Sequence, residues 1–140
     1  MKLDVETLES AVEEMGDFLE KFRDYEASDD ILLFRILQAG VIKAFEFTYE
    51  LSVRFIRRQL SQTSFNPVNV DAMDFRSMIR VAADAGLIAE PRRWFEYRKK
   101  RNITSHTYDR HKAEEVLSIV DDFLEDARFL LAELVRRNTP

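Results

Sequence analysis

Cysteine is absent from the 140-residue sequence, and glycine and proline occur only three times each. Without cysteine the chain can form no disulfide, no thiolate zinc site and no cysteine nucleophile. The three glycines, Gly16, Gly40 and Gly86, are too far apart to form the glycine-rich loop that cradles nucleotide phosphates. Thiolate zinc sites, cysteine-dependent catalysis and glycine-rich nucleotide-binding loops are therefore excluded.

Long hydrophobic runs are also missing. No segment approaches about 18 uninterrupted apolar residues, which argues against a membrane-spanning helix. The first residues, MKLDVETLES, lack the basic stretch and apolar run of a secretory leader, so we expect a cytoplasmic protein without membrane association. Hydrophobic residues at 46% and charged residues at 34% are typical of a folded chain, and we expect a single domain over residues 1–140.

Apolar residues recur every three or four positions along most of the chain, the spacing that gives a helix one buried face. No alternating strand pattern and no repeat of fixed period interrupts this spacing. The expected helices cover roughly residues 4–26, 28–60, 71–86, 91–101 and 109–137. We therefore expect an all-α protein, an antiparallel up-and-down helical bundle of four to five helices.

Side chains that can accept free amides mark helix starts, and glycine can adopt the left-handed conformation that ends a helix. The expected start and end signals are Ser28 to Asp30, Asp71, Gly86, Pro91, and Thr107 or Asp109. The second helix is apolar on more than one face, so we expect it at the centre with a face left over for a partner. Residues 61–70, which contain Asn66-Pro67, are predicted to form the main loop.

Charge is distributed unevenly along the chain. The net charge of −5 argues against nonspecific coating of nucleic acid, because phosphate binding needs clustered positive charge. Residues 92–101, RRWFEYRKKR, carry six cations and one glutamate, a local charge of +5. This segment predicts one basic patch on an otherwise acidic molecule.

Reactive side chains are concentrated at the end of this segment, in RNITSHTYD. Arginine offers forked donors to charge on phosphorus, and histidine, with a pKa of about 6.5, can exchange a proton with a ribose hydroxyl. Arg101 and His106, with Asn102 and Tyr108 beside them, therefore suit phosphodiester chemistry without metal, and an internal 2′-hydroxyl nucleophile would make RNA the substrate. On spacing and composition alone, a structural alternative is favoured, in which Arg101 caps its helix and His106 bonds within the turn.

Two further patterns are weaker. His106 and His111 lie five residues apart across a helix boundary with no matching acidic pair, so we expect neither a metal site nor a cofactor. Trp94, Phe95 and Tyr97 are more typical of a hydrophobic core than of a surface on which nucleic-acid bases stack.

The octet RNITSHTY resembles the motif of HEPN domains: arginine, a polar residue, three variable residues, histidine, one variable residue and tyrosine. Longer segments resemble the branch of HepT-type and nucleotidyltransferase substrate-binding proteins, and together they cover most of residues 35–125. These segments are QAGVIKAFEFTYEL, FRSMIRVAADAGLI and WFEYRKKRNITSHTYD. The resemblance implies a bundle of four or five helices that forms a homodimer. It also implies a cognate minimal nucleotidyltransferase as partner in a two-component, toxin-antitoxin-like pair.

By this resemblance, Arg101 and His106 correspond to the ribonuclease pair and Asn102 to the polar residue after the arginine. Tyr108 corresponds to the tyrosine that the nucleotidyltransferase can adenylylate. A homodimer would supply two motif histidines, one for the general base and one for the general acid. Binding of RNA or other phosphate groups is expected from the basic residues just before the motif: Arg98, Lys99 and Lys100.

The sequence leaves three functions open. The first is a metal-independent endoribonuclease toxin, inhibited by its nucleotidyltransferase through adenylylation of Tyr108. The second is a noncatalytic subunit that binds the nucleotidyltransferase and presents a nucleotide or another substrate to it. The third is a helical dimerisation module whose motif only stabilises a turn. Binding and cleavage both favour arginine and histidine near phosphate, so residue types alone do not separate the first two.

Overall fold

A computed structural model describes residues 2–63 and 67–139. These residues form α-helices and one 3-10 turn, Thr104–His106, without any strand. The helices are α1 (Glu6–Asp24), α2 (Ile31–Thr63), α3 (Pro67–Ala72), α4 (Phe75–Asp84), α5 (Pro91–Arg101), α6 (Arg110–Leu117) and α7 (Val120–Asn138). The all-α bundle is confirmed, although these seven helices exceed the expected four to five. No helix in the described ranges has the length and apolar character needed to cross a lipid bilayer.

The long helices α1, α2 and α7 establish the up-and-down arrangement. The backbone amide of Leu3, before α1, donates to the side chain of Asn138 at the end of α7, 3.0 Å away. At the opposite end, Arg23 of α1 pairs with Asp121 of α7, so these two helices are antiparallel. Asn138 also donates to the side chain of Gln59, 2.8 Å away near the end of α2, which places the ends of α2 and α7 together. The second and last long helices therefore run in the same direction.

The core is centred on Phe123 of α7, whose side chain is fully buried. Its ring packs edge-to-face against the rings of Phe45 in α2 and Tyr97 in α5, with centroid separations of 5.0 and 5.2 Å. Trp94, also in α5, lies 5.9 Å away. The predicted core positions of Trp94 and Tyr97 are confirmed, whereas Phe95 is only half-buried. One aromatic cluster thus joins three helices.

A buried carboxylate fastens α5 to α7. Asp126, only 9% exposed, accepts hydrogen bonds from the Tyr97 hydroxyl and from Arg93 Nε, the latter at 2.8 Å. Burial, followed by the hydrogen bond to Asp126, raises the pKa of Tyr97, so its hydroxyl stays protonated and donates. A buried carboxylate without such partners would be costly. The position of α5, and of the motif at its C-terminal end, depends on this contact.

Helix α2 is the central helix that the sequence predicts, and it contacts α1, α3, α5 and α7. Its start is capped as expected, because the Asp30 carboxylate accepts the amide of Leu33 at 3.0 Å. Part of its apolar surface remains uncovered. The exposed apolar side chains of this helix are Ile31, Leu32, Ile36 and Phe47. A face is therefore left over, as expected for a helix with a further partner.

The predicted loop at 61–70 is largely wrong. Helix α2 continues to Thr63, and α3 begins at Pro67, within the segment expected to be irregular. Proline is tolerated in the first turn of a helix because its missing amide has no partner there. Residues 64–66, with the predicted break at Asn66, lie outside the described residues.

The start of α4 also differs from the prediction. Asp71 cannot cap this helix because it lies inside α3; instead Asp74 accepts the amide of Ser77 at 2.7 Å. The end of α4 is as predicted. Gly86 adopts a left-handed conformation, with φ of 75°, and the amide of the next residue donates back to the carbonyl of Ala82 at 2.9 Å.

The last predicted helix is in fact two helices. Asp109 caps α6 as expected and accepts the amide of His111 at 2.9 Å. The helix does not continue unbroken to Arg137, because the chain turns between Leu117 and Val120. There the Ser118 hydroxyl donates to a backbone carbonyl three residues earlier, 2.6 Å away. Such a side-chain hydrogen bond competes with the regular backbone hydrogen bonds of a helix. The break lets α6 contact the 3-10 turn while α7 packs along α1 and α2.

We expect Phe123→Ala to lower the free energy of unfolding by about 3–5 kcal/mol, since it opens a cavity among three helices. Phe129→Ala is the matched control, because Phe129 lies on the same helix but is 42% exposed. That control should change stability by less than about 1 kcal/mol. Urea unfolding followed by circular dichroism measures both variants, and equal losses would contradict this description of the core.

Candidate functional site

Arg101, the last residue of α5, reaches across to α2. Its Nε donates to Glu50 Oε1 at 3.1 Å, and one terminal nitrogen pairs with the same carboxylate. The other terminal nitrogen donates to the Thr104 hydroxyl at 3.2 Å and lies 3.8 Å from Glu46 Oε2. The guanidinium is thus held between two carboxylates that lie one helical turn apart on α2.

Thr104 attaches the motif turn to the same acidic pair. Its side chain is buried, and its hydroxyl donates to Glu46 Oε2 at 2.6 Å. Two residues later, the backbone amide of His106 donates to the carbonyl of Ile103 at 3.0 Å and closes the 3-10 turn. The contact between Thr104 and α2 therefore sets the place where the His106 side chain leaves the backbone.

His106 and Tyr108 lie on the outside of this turn. The imidazole of His106 is exposed, and its ring centroid is 6.2 Å from that of Tyr108 in an edge-to-face arrangement. Tyr108 is 87% exposed, so the described residues leave its phenol largely uncovered. Asn102 is also exposed, just beyond the end of α5, where its backbone amide donates to the carbonyl of Arg98 at 3.1 Å. The structure therefore brings the motif residues to one turn and leaves its imidazole and phenol accessible to large molecules.

A groove of about 1270 Å³ opens beside Tyr108, between the end of α1, the start of α2 and residues 107–121. The aromatic rings of Phe22 and Phe34, 5.3 Å apart, line it together with the cations of Arg35 and Arg110. Three carboxylates line the groove as well, and one of them pairs with Arg110 at 3.1 Å, so the lining is apolar with mixed charge. The groove is large enough for a nucleotide. Tyr108 therefore stands at the edge of a ligand-sized groove that the rest of the chain forms.

The acidic pair changes the electrostatics of the motif. The pKa of Glu46 is lowered, chiefly by the hydrogen bond from Thr104 and then by that from Lys43, whose Nζ is 2.9 Å from Glu46 Oε1. Hydrogen bonding to Glu50 raises the pKa of Arg101. Tyr49, between the two glutamates, is buried, and burial raises its pKa to about 12. A charged Arg101 and a charged Glu46 are therefore the stable forms here at neutral pH.

The predicted basic patch is not one continuous surface. Arg98 stacks on the ring of Phe75, 4.6 Å from its centroid. Lys99 pairs at 3.2 Å with a glutamate of its own helix, and Lys100 lies 3.9 Å from Glu115 on α6. Successive residues of a helix point about 100° apart, so three consecutive cations cannot share one face. Phosphate binding by Arg98, Lys99 and Lys100 stays a prediction. The three differ in their surroundings, because the lysines have carboxylate partners whereas Arg98 lies over an aromatic ring.

Sequence reasoning missed the acidic partners of the motif. Glu46 and Glu50 are four residues apart on α2, a spacing that places them on one helix face. That spacing is common on exposed helices, and it does not indicate that the C-terminal end of α5 packs against these two glutamates. Asp126 was also missed, because no local pattern indicates that α5 packs against this part of α7. Within residues 2–63 and 67–139, no group of three or more histidine, aspartate or glutamate side chains is placed to hold a metal ion.

Comparison with known proteins identifies the family. Residues 3–136 match the family described as nucleotidyltransferase substrate binding protein like. The chain belongs to this family. It is 47% identical over 102 residues to a Haemophilus influenzae protein named probable ribonuclease HepT, an alignment that covers 73% of this chain and 70% of that protein. The resemblance to the HepT-type branch of HEPN domains is thereby confirmed.

A solved structure supports the same assignment. It comes from Haemophilus influenzae and is described as revealing the fold of a substrate binding domain of a nucleotidyltransferase. Its TM-score with this chain is 0.88 at 37% sequence identity, and the match covers 94% of this chain and 98% of the other. The helical bundle of this family therefore extends over nearly the whole length of both chains.

We expect Glu46→Gln to lower stability at neutral pH by about 1–2 kcal/mol, because it weakens charge-assisted hydrogen bonds. The pKa of Glu46 is below its usual 4.5 in the folded protein, so its ionisation stabilises the fold above about pH 4.5. This contribution is lost as the pH falls through the lowered pKa. The difference between wild type and variant should therefore shrink progressively as the pH falls below 4.5.

Urea unfolding at a series of pH values measures this dependence. Glu13→Gln is a control for loss of an exposed glutamate outside the motif, and it should leave the pH profile of stability unchanged. A pH-independent difference for Glu46→Gln would show that Glu46 stabilises the fold through packing rather than through its charge.

Proposed function

We propose that this chain is the HEPN-type component of a two-gene nucleotidyltransferase system and acts as a metal-independent endoribonuclease. The observation that carries the proposal is the turn after α5, which presents an exposed His106 five residues after an arginine held by Glu50 and Thr104. The name of the Haemophilus influenzae relative supports RNA as the substrate class. The system is of the toxin-antitoxin kind, with this chain as the toxin.

In the proposed reaction, His106 takes the proton of a ribose 2′-hydroxyl, and that oxygen attacks the adjacent phosphorus. The bond between phosphorus and the 5′-oxygen breaks, and the leaving oxygen receives a proton. The products are a 2′,3′-cyclic phosphate and a 5′-hydroxyl. Arginine has five N–H donors, of which Glu50 and Thr104 engage three on Arg101. Two remain to stabilise the negative charge on the phosphoryl oxygens.

A homodimer completes the proposed reaction, because one histidine cannot act as base and acid at the same moment. The same histidine of a second copy would protonate the leaving oxygen. The exposed side chains of Ile36 and Phe47, 59% and 53% accessible, support α2 as the contact. Phe47 is next to Glu46, so a contact here would lie close to the motif.

We expect Phe47→Glu to convert a dimer of twice 16.5 kDa into a monomer, since it places a charge in an apolar contact. Phe129→Glu, on α7, controls for a glutamate at an exposed phenylalanine outside this face. Light scattering coupled to size exclusion gives the mass of each variant. A wild-type monomer, or dimers for both variants, would contradict the proposed interface.

The nucleotidyltransferase partner would inhibit this activity by adenylylating Tyr108. Its 87% exposure makes the phenol accessible to a second protein, and the neighbouring groove has room for the attached nucleotide. The tyrosine is two residues from His106, so a bulky anionic group there would repel the RNA backbone and obstruct the imidazole.

One observation favours a second candidate function, that of a noncatalytic subunit that presents substrate to the nucleotidyltransferase. Within its own chain Arg101 is already paired with Glu50 and lies near Glu46, which reduces the positive charge available to a phosphate. The structural relative is itself described as a substrate binding domain. This alternative predicts that Arg101→Ala abolishes binding to the nucleotidyltransferase or to a nucleotide and has no effect on RNA.

The deciding measurement is cleavage of a labelled single-stranded RNA in EDTA by the protein without its nucleotidyltransferase. We expect wild type to cleave and His106→Ala to be slower by at least about 100-fold, the usual contribution of general acid–base catalysis. His111→Ala is the matched control, because it removes the other exposed histidine, on α6, and should cleave like wild type.

Either of two results would refute the ribonuclease. The first is intact RNA after incubation with wild-type dimer. The second is equal cleavage by wild type and His106→Ala, which would assign the activity to a contaminant or to other residues. If neither Arg101→Ala nor His106→Ala alters anything except the melting temperature, the motif serves only to stabilise its turn.

A further inference from the structure

Three arginines on α4 and α5 lie over two phenylalanine rings at cation–π distances. Arg98 lies over the ring of Phe75 at 4.6 Å, and Arg76 lies over the ring of Phe95 at 4.5 Å. Arg80, one turn beyond Arg76, is 5.9 Å from the ring of Phe95. The two rings are themselves in contact, with centroids 6.4 Å apart. Guanidinium groups and aromatic rings therefore form one connected surface, which we call the α4–α5 arginine face.

The charge of this face is largely uncompensated. All three arginines are exposed, and none forms a salt bridge within the described part of the chain. The pKa of Asp74 is lowered first by its hydrogen bonds with Ser77 at the start of α4, and only then by the charges of Arg80 and Arg76. This situation contrasts with that of the neighbouring lysines on α5, which have carboxylate partners.

The face continues directly to the motif. Arg98 and Arg101 are three residues apart on α5 and therefore lie on the same side of that helix. The charges of both act on the pKa of Tyr49 in α2, in agreement with their approach to the same part of the bundle. A chain molecule bound along the three stacked arginines would thus meet the end of α5, where Arg101 and the 3-10 turn begin.

We propose that the α4–α5 arginine face binds a single-stranded segment of nucleic acid and leads it to the motif. That this nucleic acid is RNA rests on the proposed function. Contact with a phenylalanine ring restrains each guanidinium group, so less side-chain freedom is lost on binding. The edges of the guanidinium groups then bind phosphate oxygens, and their open faces stack with unpaired bases. Duplex RNA offers no such bases and binds this face less well.

Charge alone would also suit an acidic protein surface, but the stacking favours RNA. A salt bridge to a carboxylate requires only the edge of an arginine, whereas a row of flat groups backed by aromatic rings matches the spaced bases and phosphates of a single strand. Phe75 and Phe95 are half-buried, pack against the core and form the base of this surface.

The test measures binding of a short unstructured oligoribonucleotide by fluorescence anisotropy. All proteins carry His106→Ala, so that the RNA stays intact. Removing the three arginines together (Arg76→Ala, Arg80→Ala and Arg98→Ala) should raise Kd at least tenfold. The slope of log Kd against log salt concentration should also fall by roughly 0.7 for each phosphate that is no longer neutralised, or about 2 in total.

The corresponding triple lysine variant keeps the charge and should retain the salt slope, with weaker affinity and less preference for single strands.

Arg58→Ala is the matched control. Arg58 is also exposed and lies over a phenylalanine ring, at 5.7 Å from Phe55, but it lines a separate cleft on α2 with Leu3. Its removal should leave RNA affinity within about twofold of the parent. Circular dichroism checks that each variant is folded, and the lysine variant stays informative if the alanine variant is not.

The results separate this inference from the proposed function. Unchanged affinity and salt slope in the triple alanine variant would overturn the arginine face while leaving RNA cleavage by the unmodified chain intact. Weaker binding to the purified nucleotidyltransferase, without any change toward RNA, would equally overturn it and assign the face to a protein partner. RNA affinity that depends on the three arginines, in a chain that cleaves no RNA, would support the face and refute the ribonuclease. Absence of RNA binding by the parent would refute both.

Discussion

The buried carboxylate of Asp126 is the constraint on which the functional end of the molecule depends. A carboxylate that is only 9% exposed must be paired, and its partners are both on α5, the Tyr97 hydroxyl and Arg93. The same stretch of α5 buries Trp94 against Phe123. Packing brings the helices together, and the polar contact selects one register between them. Once that register is set, the C-terminal end of α5 can meet only one part of α2.

That meeting gives Arg101 two tasks. Its bonds to Glu50 and Thr104 hold the end of α5 and the following turn against α2, which is a structural role. Its remaining N–H groups, together with the imidazole of His106, are the groups proposed to act on a phosphodiester. The acidic partners therefore orient the arginine at the expense of local positive charge. Arg76, Arg80 and Arg98 form no salt bridge among the described residues, so they supply positive charge from a neighbouring surface instead.

Agreement between sequence and structure is closest where a local signal suffices. The caps at Asp30 and Asp109 and the glycine end at Gly86 each depend on residues within one turn. Errors arose where a local signal was overruled. Polar composition at 61–70 indicated a loop, yet proline is compatible with a helix start. The apolar spacing of α6 and α7 is continuous, so it did not reveal the turn at Ser118, where the hydroxyl donates to a backbone carbonyl three residues earlier.

The sequence by itself determined the helical class, the aromatic core and the motif, together with the family to which the chain belongs. Periodicity, composition and motif spacing are properties of residues close together in the chain, so they can be read directly. Only the tertiary structure decided that Glu46 and Glu50 hold Arg101 and that Asp126 holds α5. It also separated Arg98 from the adjacent lysines and placed it with Arg76 and Arg80. These contacts join residues between 15 and 55 positions apart, and they exist only because packing of the helices fixes which faces meet.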